Sequence, residues 1–188
     1  MLKKGERGDG MDKLAVLRQY FGFPAFRAGQ QTLIDAVLSG RDALGVMPTG
    51  GGKSLCYELP ALLLPGMTLV VSPLISLMKD QVMALRNAGI PAGCINSSMS
   101  LDELRETYRD ARYGAYKLLY VAPERLLTDG FCSLAQELEI PLVAVDEAHC
   151  ISQWGQDFRP SYLKIVEFLQ RLPRRPAVAA FTLSLIHI

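Results

Sequence analysis

Short apolar runs alternating with longer amphipathic stretches predict an α/β fold, a mostly parallel central sheet with helices on both faces. Six runs of strand length, 43–47, 68–72, 92–95, 118–121, 142–145 and 177–181, alternate with stretches of helical length at 53–64, 74–88, 101–112 and 162–171. The runs are almost continuously apolar, as strands buried on both faces are. Strands separated by such helices form βαβ units, and in sheets of this kind ligands bind beyond the carboxyl ends of the strands.

The elements follow in order. The first run, Ala-Leu-Gly-Val-Met, enters a glycine-rich turn, and the stretch 53–64 that follows has helical length. Thr-Leu-Val-Val-Ser makes the second strand, and the helix after it, 74–88, stops at Gly89. The third strand, 92–95, leads to the charged stretch 101–112; the fourth and fifth, Leu-Leu-Tyr-Val and Leu-Val-Ala-Val, are apolar throughout. Pro173 closes the stretch 162–171 before the sixth strand. These elements place 13–182 in one folded unit, with 1–12 as a loose leader and 183–188 as a tail outside it.

Bulk properties narrow the function classes. With 188 residues, 49% of them apolar, the chain can bury one sizeable core. Lys plus Arg number 20 against 19 Asp plus Glu, a net charge of +1, so any contact with nucleic acid must be local. Cys56, Cys94, Cys132 and Cys150 lie far apart without a C-x-x-C pair, which fits a reducing cytosol better than a zinc site or a disulfide framework. The most apolar stretch, 61–78, is broken by Pro65, Gly66 and Pro73, so no membrane span is expected.

After the first strand comes Pro48-Thr49-Gly50-Gly51-Gly52-Lys53-Ser54, in the strand, glycine loop and helix order of a P-loop. Glycines let main-chain N–H groups turn toward phosphate oxygens, Lys53 can reach the β- and γ-phosphates, and the Ser54 hydroxyl can join a Mg²⁺ shell. Met47 stands where the full pattern has its first glycine. A glycine-rich turn without a ligand is the plainer alternative. The fifth strand ends in Asp146-Glu147-Ala148-His149. Beside a P-loop, Asp146 would hold Mg²⁺ through water and Glu147 would orient and deprotonate the attacking water. Alone, the two acids could as well be a helix N-terminal pair facing the helix dipole.

The string from Asp146 to Gly155, continued through Asp157-Phe158-Arg159-Pro160, resembles the RecQ family of superfamily 2 helicases, as do 47–54 and the segment 71–81. The resemblance runs from about Leu17 to Thr182. It implies a RecA-like P-loop NTPase lobe of an ATP-dependent 3′–5′ DNA helicase acting in DNA repair and recombination. It also implies ATP and Mg²⁺ as cofactors, single-stranded and forked DNA as partners, a second lobe in cis, and a cytoplasmic or, in a bacterium, nucleoid location.

The segments 20–23 and 26–30 resemble the family's adenine-recognition element. Gln30 can both donate to and accept from an adenine edge, Arg27 is the second expected nucleotide contact, and Tyr20 or Phe23 could cover the ring. Phe21 and Phe26 are expected to pack in the core. Ser72-Pro73 and the segment 122–125 match family segments that track a single strand, with Ser72, Pro73, Lys79 and Arg125 as expected backbone contacts. The alternatives are a helix entry at Ser72-Pro73 and a surface ion pair for Arg125. Trp154, Phe158 and Arg159 resemble the family's aromatic-rich loop, where a base stacked on Trp154 could move a segment continuous with Glu147; a core plug is the other reading of Trp154. Two departures stand out. Gln156 replaces the usual histidine, and Thr182-Leu183-Ser184 matches the family's Thr-Ala-Thr only at Thr182. The sequence ends before the second lobe and its arginine, and a non-native tail is expected from 183 onward.

Overall fold

The computed structural model describes residues 12–48, 50–151 and 159–183. Six parallel strands, β1 (Ala43–Val46), β2 (Thr68–Val71), β3 (Ala92–Ile95), β4 (Leu118–Val121), β5 (Leu142–Val145) and β6 (Ala177–Thr182), form one sheet in the order β1-β6-β5-β2-β4-β3. Seven α-helices are described: α1 (Lys13–Phe21), α2 (Gln30–Leu38), α3 (Leu55–Leu63), α4 (Ile75–Asn87), α5 (Leu101–Arg112), α6 (Asp129–Glu137) and α7 (Lys164–Arg171).

Residue parity decides which helices cover which face. Val70, Leu118, Tyr120, Ala144, Ala179 and Phe181 pack with Val37 of α2, Cys56, Tyr57 and Ala61 of α3 and Met78 and Val82 of α4. Their neighbours Leu69, Val71, Leu119, Val121 and Val143 face Ala111 of α5, Phe131 and Leu134 of α6 and Ile165 and Phe168 of α7. α1 lies outside the first face, where Val16 and Leu17 pack with Ile34, Leu55 and Leu59. Fully burying one such side chain contributes about 1.5–3 kcal/mol, so the interior strands hold the fold.

All six expected strands are present, three with the expected bounds and three shifted by one residue at the carboxyl end. The helix at 101–112 matches its expected bounds because Ser100 and Glu103 make a capping box: the Ser100 Oγ accepts the Glu103 N–H (3.3 Å) and Glu103 Oε2 accepts the Ser100 N–H (2.7 Å). The stretch expected as one helix from 162 begins instead as a 3₁₀ turn, Pro160–Leu163, and becomes α-helical at Lys164. Three helices were not expected. α6 contains Gly130, a poor helix residue, but a Cβ there would lie 3.2 Å from the Tyr108 ring, so close packing offsets propensity. α1 and α2 precede the first strand and gain their stability from one another and from α3.

Candidate nucleotide site at the carboxyl edge of the sheet

Strand register brings the signature residues together. Val46 pairs with Thr182, Ala180 with Val145, and Val145 with Val71, so the ends of β1, β6, β5 and β2 lie side by side. The glycine loop leaves β1, and Asp146-Glu147 leaves β5, two strands away.

Lys53 and Glu147 meet: Nζ lies 2.9 Å from Oε1, with both side chains mostly withdrawn from solvent. Glu147 takes a left-handed backbone, φ 49°, an uncommon conformation for a residue with a Cβ and a costly one that only its surroundings can hold. Its other oxygen, Oε2, is 3.2 Å from His149 Nδ1, which is in turn 3.3 Å from the Thr182 hydroxyl. Asp146 is 4% exposed; Oδ1 accepts the Glu147 N–H (3.0 Å), and the Asp146 carbonyl accepts the Tyr162 hydroxyl (2.8 Å). Burial, and then the neighbouring Glu147, push the Asp146 carboxyl above its usual range.

The loop is held from the side by α2 and the segment before it. Gln30 is buried; Oε1 accepts the Arg27 N–H (2.8 Å) and Nε2 donates to the Gly52 carbonyl (3.2 Å). Arg27 Nη1 donates to the Gly50 carbonyl. Gly52 has φ 78°, a left-handed backbone that favours glycine, and a Cβ there would lie 2.4 Å from Gln30 Nε2, which would have to give way. The amide expected to read adenine is thus engaged with main-chain groups, as is the Arg27 guanidinium. A cavity of about 230 Å³ beside them is lined by Phe23, Ala25, Arg27, Gln30, Gly50, Gly52 and Leu55. Phe23 is 46% exposed there, whereas Tyr20, Phe21 and Phe26 pack against the core.

Ser54 sits at the start of α3. Among the described residues no group of three or more His, Cys, Asp or Glu could hold a metal unaided. Ser54 and Asp146 offer hard oxygen atoms, the donors Mg²⁺ takes when phosphates and water complete its shell. The helix that follows Ser54 carries a polar group absent from the sequence reading. The Tyr120 hydroxyl donates to Glu58 Oε1 (3.4 Å), and burial, opposed by that hydrogen bond and aided by Asp146, pushes Glu58 up to about 7. Glu58 follows Ser54 at helical spacing, but nothing in sequence distinguishes it from an exposed helical acid.

The residues expected to track DNA are arranged differently. Ser72 is wholly buried, because parity sends its side chain to the face of Val70 and Ala144, and its hydroxyl has no partner. The expected hydroxyl–phosphate contact is therefore unavailable in this conformation, and Pro73 is buried too. Arg125 donates from Nε to the Asn96 carbonyl (3.2 Å) rather than standing in a surface ion pair. Arg159 donates from Nη1 to the Pro73 carbonyl (2.9 Å) and from its main chain to Cys150 (2.9 Å), tying the segment after the acids to the end of β2. Lys79 is exposed on α4. Thr49, Trp154 and Phe158 lie outside the described residues, as do 1–11 and 184–188. No helix of the described residues is long and apolar enough to cross a membrane.

Comparison with known proteins follows the same lines. The chain is 52% identical over 169 residues to the ATP-dependent DNA helicase RecQ of Bacillus subtilis, an alignment covering 89% of this chain and 29% of that protein. It is 49% identical over 166 residues to the RecQ helicase of Haemophilus influenzae, covering 88% and 27%. The chain thus spans less than a third of the length of these relatives. Its fold matches the DNA- and AMPPNP-bound DUF1998 helicase MrfA with a TM-score of 0.73 at 17% identity, over 94% of this chain and 26% of that one. The Mycobacterium smegmatis helicase Lhr bound to ssDNA and AMP-PNP gives a TM-score of 0.72 at 20% identity, over 95% and 26%. The sequence profile of the DEAD/DEAH box helicases matches residues 27–185, and the chain belongs to that family.

Proposed function

We propose that this chain is the ATP-binding lobe of a RecQ-like, ATP-dependent 3′–5′ DNA helicase, which couples hydrolysis to movement along single-stranded and forked DNA. The observation that carries this reading is the Lys53–Glu147 pair, 2.9 Å apart at the carboxyl edge and flanked by the glycine loop held by Arg27 and Gln30. Lys53 lies against Glu147 and neutralises the acid. A triphosphate in the loop supplies a competing anion, draws Lys53 away and leaves Glu147 to accept a proton from water. Mg²⁺, when bound by Ser54 and, through water, Asp146, supplies charge neutralisation at the phosphates. Thr49, Gly50 and Gly51 complete the loop's phosphate contacts.

On the DNA side, Lys79 is the exposed cation suited to a phosphate, Arg125 and Arg159 hold the main chain that meets the strand, and Trp154 and Phe158 stack bases. A second lobe contributes the arginine that completes the ATP site, worth on the order of 10³–10⁵ in rate, so the chain by itself binds nucleotide and does not unwind duplex. Titration of the purified chain with fluorescent ATP tests the site: Lys53→Ala should weaken binding by about tenfold or more, since it removes a charge-assisted contact. Unchanged binding removes the P-loop reading. ATP-dependent strand separation by residues 1–188 alone would overturn the division of labour between lobes.

A further inference from the structure

We propose that Tyr162 is a positioning residue for Glu147: its buried hydroxyl holds the Asp146–Glu147 peptide in the orientation that keeps the Glu147 backbone left-handed and its carboxylate against Lys53. This rests on the reading of Glu147 as the proton acceptor given above.

The peptide between the two acids is gripped on both sides. Its carbonyl accepts the Tyr162 hydroxyl (2.8 Å), and its N–H, that of Glu147, donates to Asp146 Oδ1 (3.0 Å). The φ angle of Glu147 is the rotation that follows directly from this peptide plane. At 49° it lies where a residue with a Cβ rarely stays unless its neighbours hold it. The strain of one such residue and the strength of one hydrogen bond are similar in size, so a single hydroxyl can decide whether the kink persists. Past the kink, the Glu147 carbonyl accepts the Cys150 N–H (2.9 Å) and its carboxylate reaches Lys53 (2.9 Å).

Tyr162 is itself braced. It stands in the 3₁₀ turn Pro160–Leu163, where its N–H donates to the Arg159 carbonyl (2.9 Å). Arg159 is fixed in turn on the Cys150 carbonyl (2.9 Å) and the Pro73 carbonyl (2.9 Å), so the tyrosine hangs from a segment tied to the ends of both β5 and β2. Packing does not call for the hydroxyl. The ring is wholly buried in the apolar cluster with Val145, Ala148 and Ile165, and phenylalanine would fill the same space while leaving the Asp146 carbonyl without this donor.

Two measurements test the assignment. The first is amide hydrogen exchange, read by NMR on the 188-residue chain. The Glu147 amide should be protected in the wild type and exchange about tenfold faster in Tyr162→Phe, while the Val143 and Ala144 amides of β5 change less than about twofold. A wild-type Glu147 amide that exchanges as freely as an exposed one overturns the inference, and this result stands even if Tyr162→Phe does not fold. The second is steady-state ATPase in a protein that includes the second lobe. Tyr162→Phe should lower kcat about tenfold with KM for ATP changed less than about twofold, and adding it to Glu147→Gln should lower turnover no further. A wild-type kcat, or losses that multiply in the double variant, leave Tyr162 a packing residue and overturn the inference. If Glu147→Gln alone keeps full turnover, the proton-acceptor reading fails and this one with it, an outcome distinct from the others.

Discussion

The two halves of the sheet's carboxyl edge differ in whether their charged side chains meet one another. At the β1-β6-β5 end, side chains from elements far apart in sequence converge: Lys53 on Glu147, Glu147 on His149, His149 on Thr182. At the β2-β4-β3 end, polar side chains turn back onto the protein's own main chain: Arg125 onto Asn96, Arg159 onto Pro73, with Ser72 buried. The first half holds charges in place for a small, highly charged ligand. The second shapes a backbone surface, which suits a ligand followed along its length rather than read. Reacting groups must be positioned as side chains, whereas a tracked polymer can be met by main-chain groups.

Four experiments break or sharpen that contrast. The largest effect belongs to Glu147→Gln in a protein that includes the second lobe: turnover should fall about 10²–10⁴-fold with ATP binding retained, because the amide keeps the shape but is a poor base. Equal turnover in a steady-state ATPase assay would remove Glu147 from the chemistry.

Next is a pH effect. The folded chain holds the Glu58 proton up to about 7 against a usual 4.5, so this group's stabilising contribution is complete below about 4.5 and is lost as pH rises through about 7. Relative to Glu58→Gln, the wild type should lose up to about 3 kcal/mol across that window, read from denaturant midpoints at each pH. Asp146, also shifted upward, adds a trend of the same sign to both proteins. Parallel pH profiles would show that Glu58 is solvated.

Gly52→Ala should cost about 1–2 kcal/mol, because the left-handed backbone remains strained even if Gln30 swings aside. Its melting temperature and nucleotide affinity should drop together, linking loop geometry to ligand. Smallest is Arg125→Ala, which removes one hydrogen bond to a carbonyl and should cost about 1 kcal/mol. If it lowers single-strand affinity without changing the salt slope, Arg125 acts through the backbone; a flatter slope makes it a direct phosphate contact.

The sequence by itself determined the strands, the glycine loop and the acid pair, because each is written locally. Continuous apolar runs mark buried parallel strands, and Gly50-Gly51-Gly52-Lys53-Ser54 and Asp146-Glu147 each carry their chemistry within a few residues. It missed α6, whose helix depends on packing at Gly130, and it sent Ser72 outward, because outward and inward differ by one step of strand parity. Only the tertiary structure decided that Gln30 and Arg27 hold the loop's carbonyls and that Glu58 meets the Tyr120 hydroxyl rather than standing in solvent. The physical reason is the same in each case. A side chain's partners, and the dielectric around it, are set by elements distant in sequence, so the residue type states what it can do and the fold selects which of those things it does.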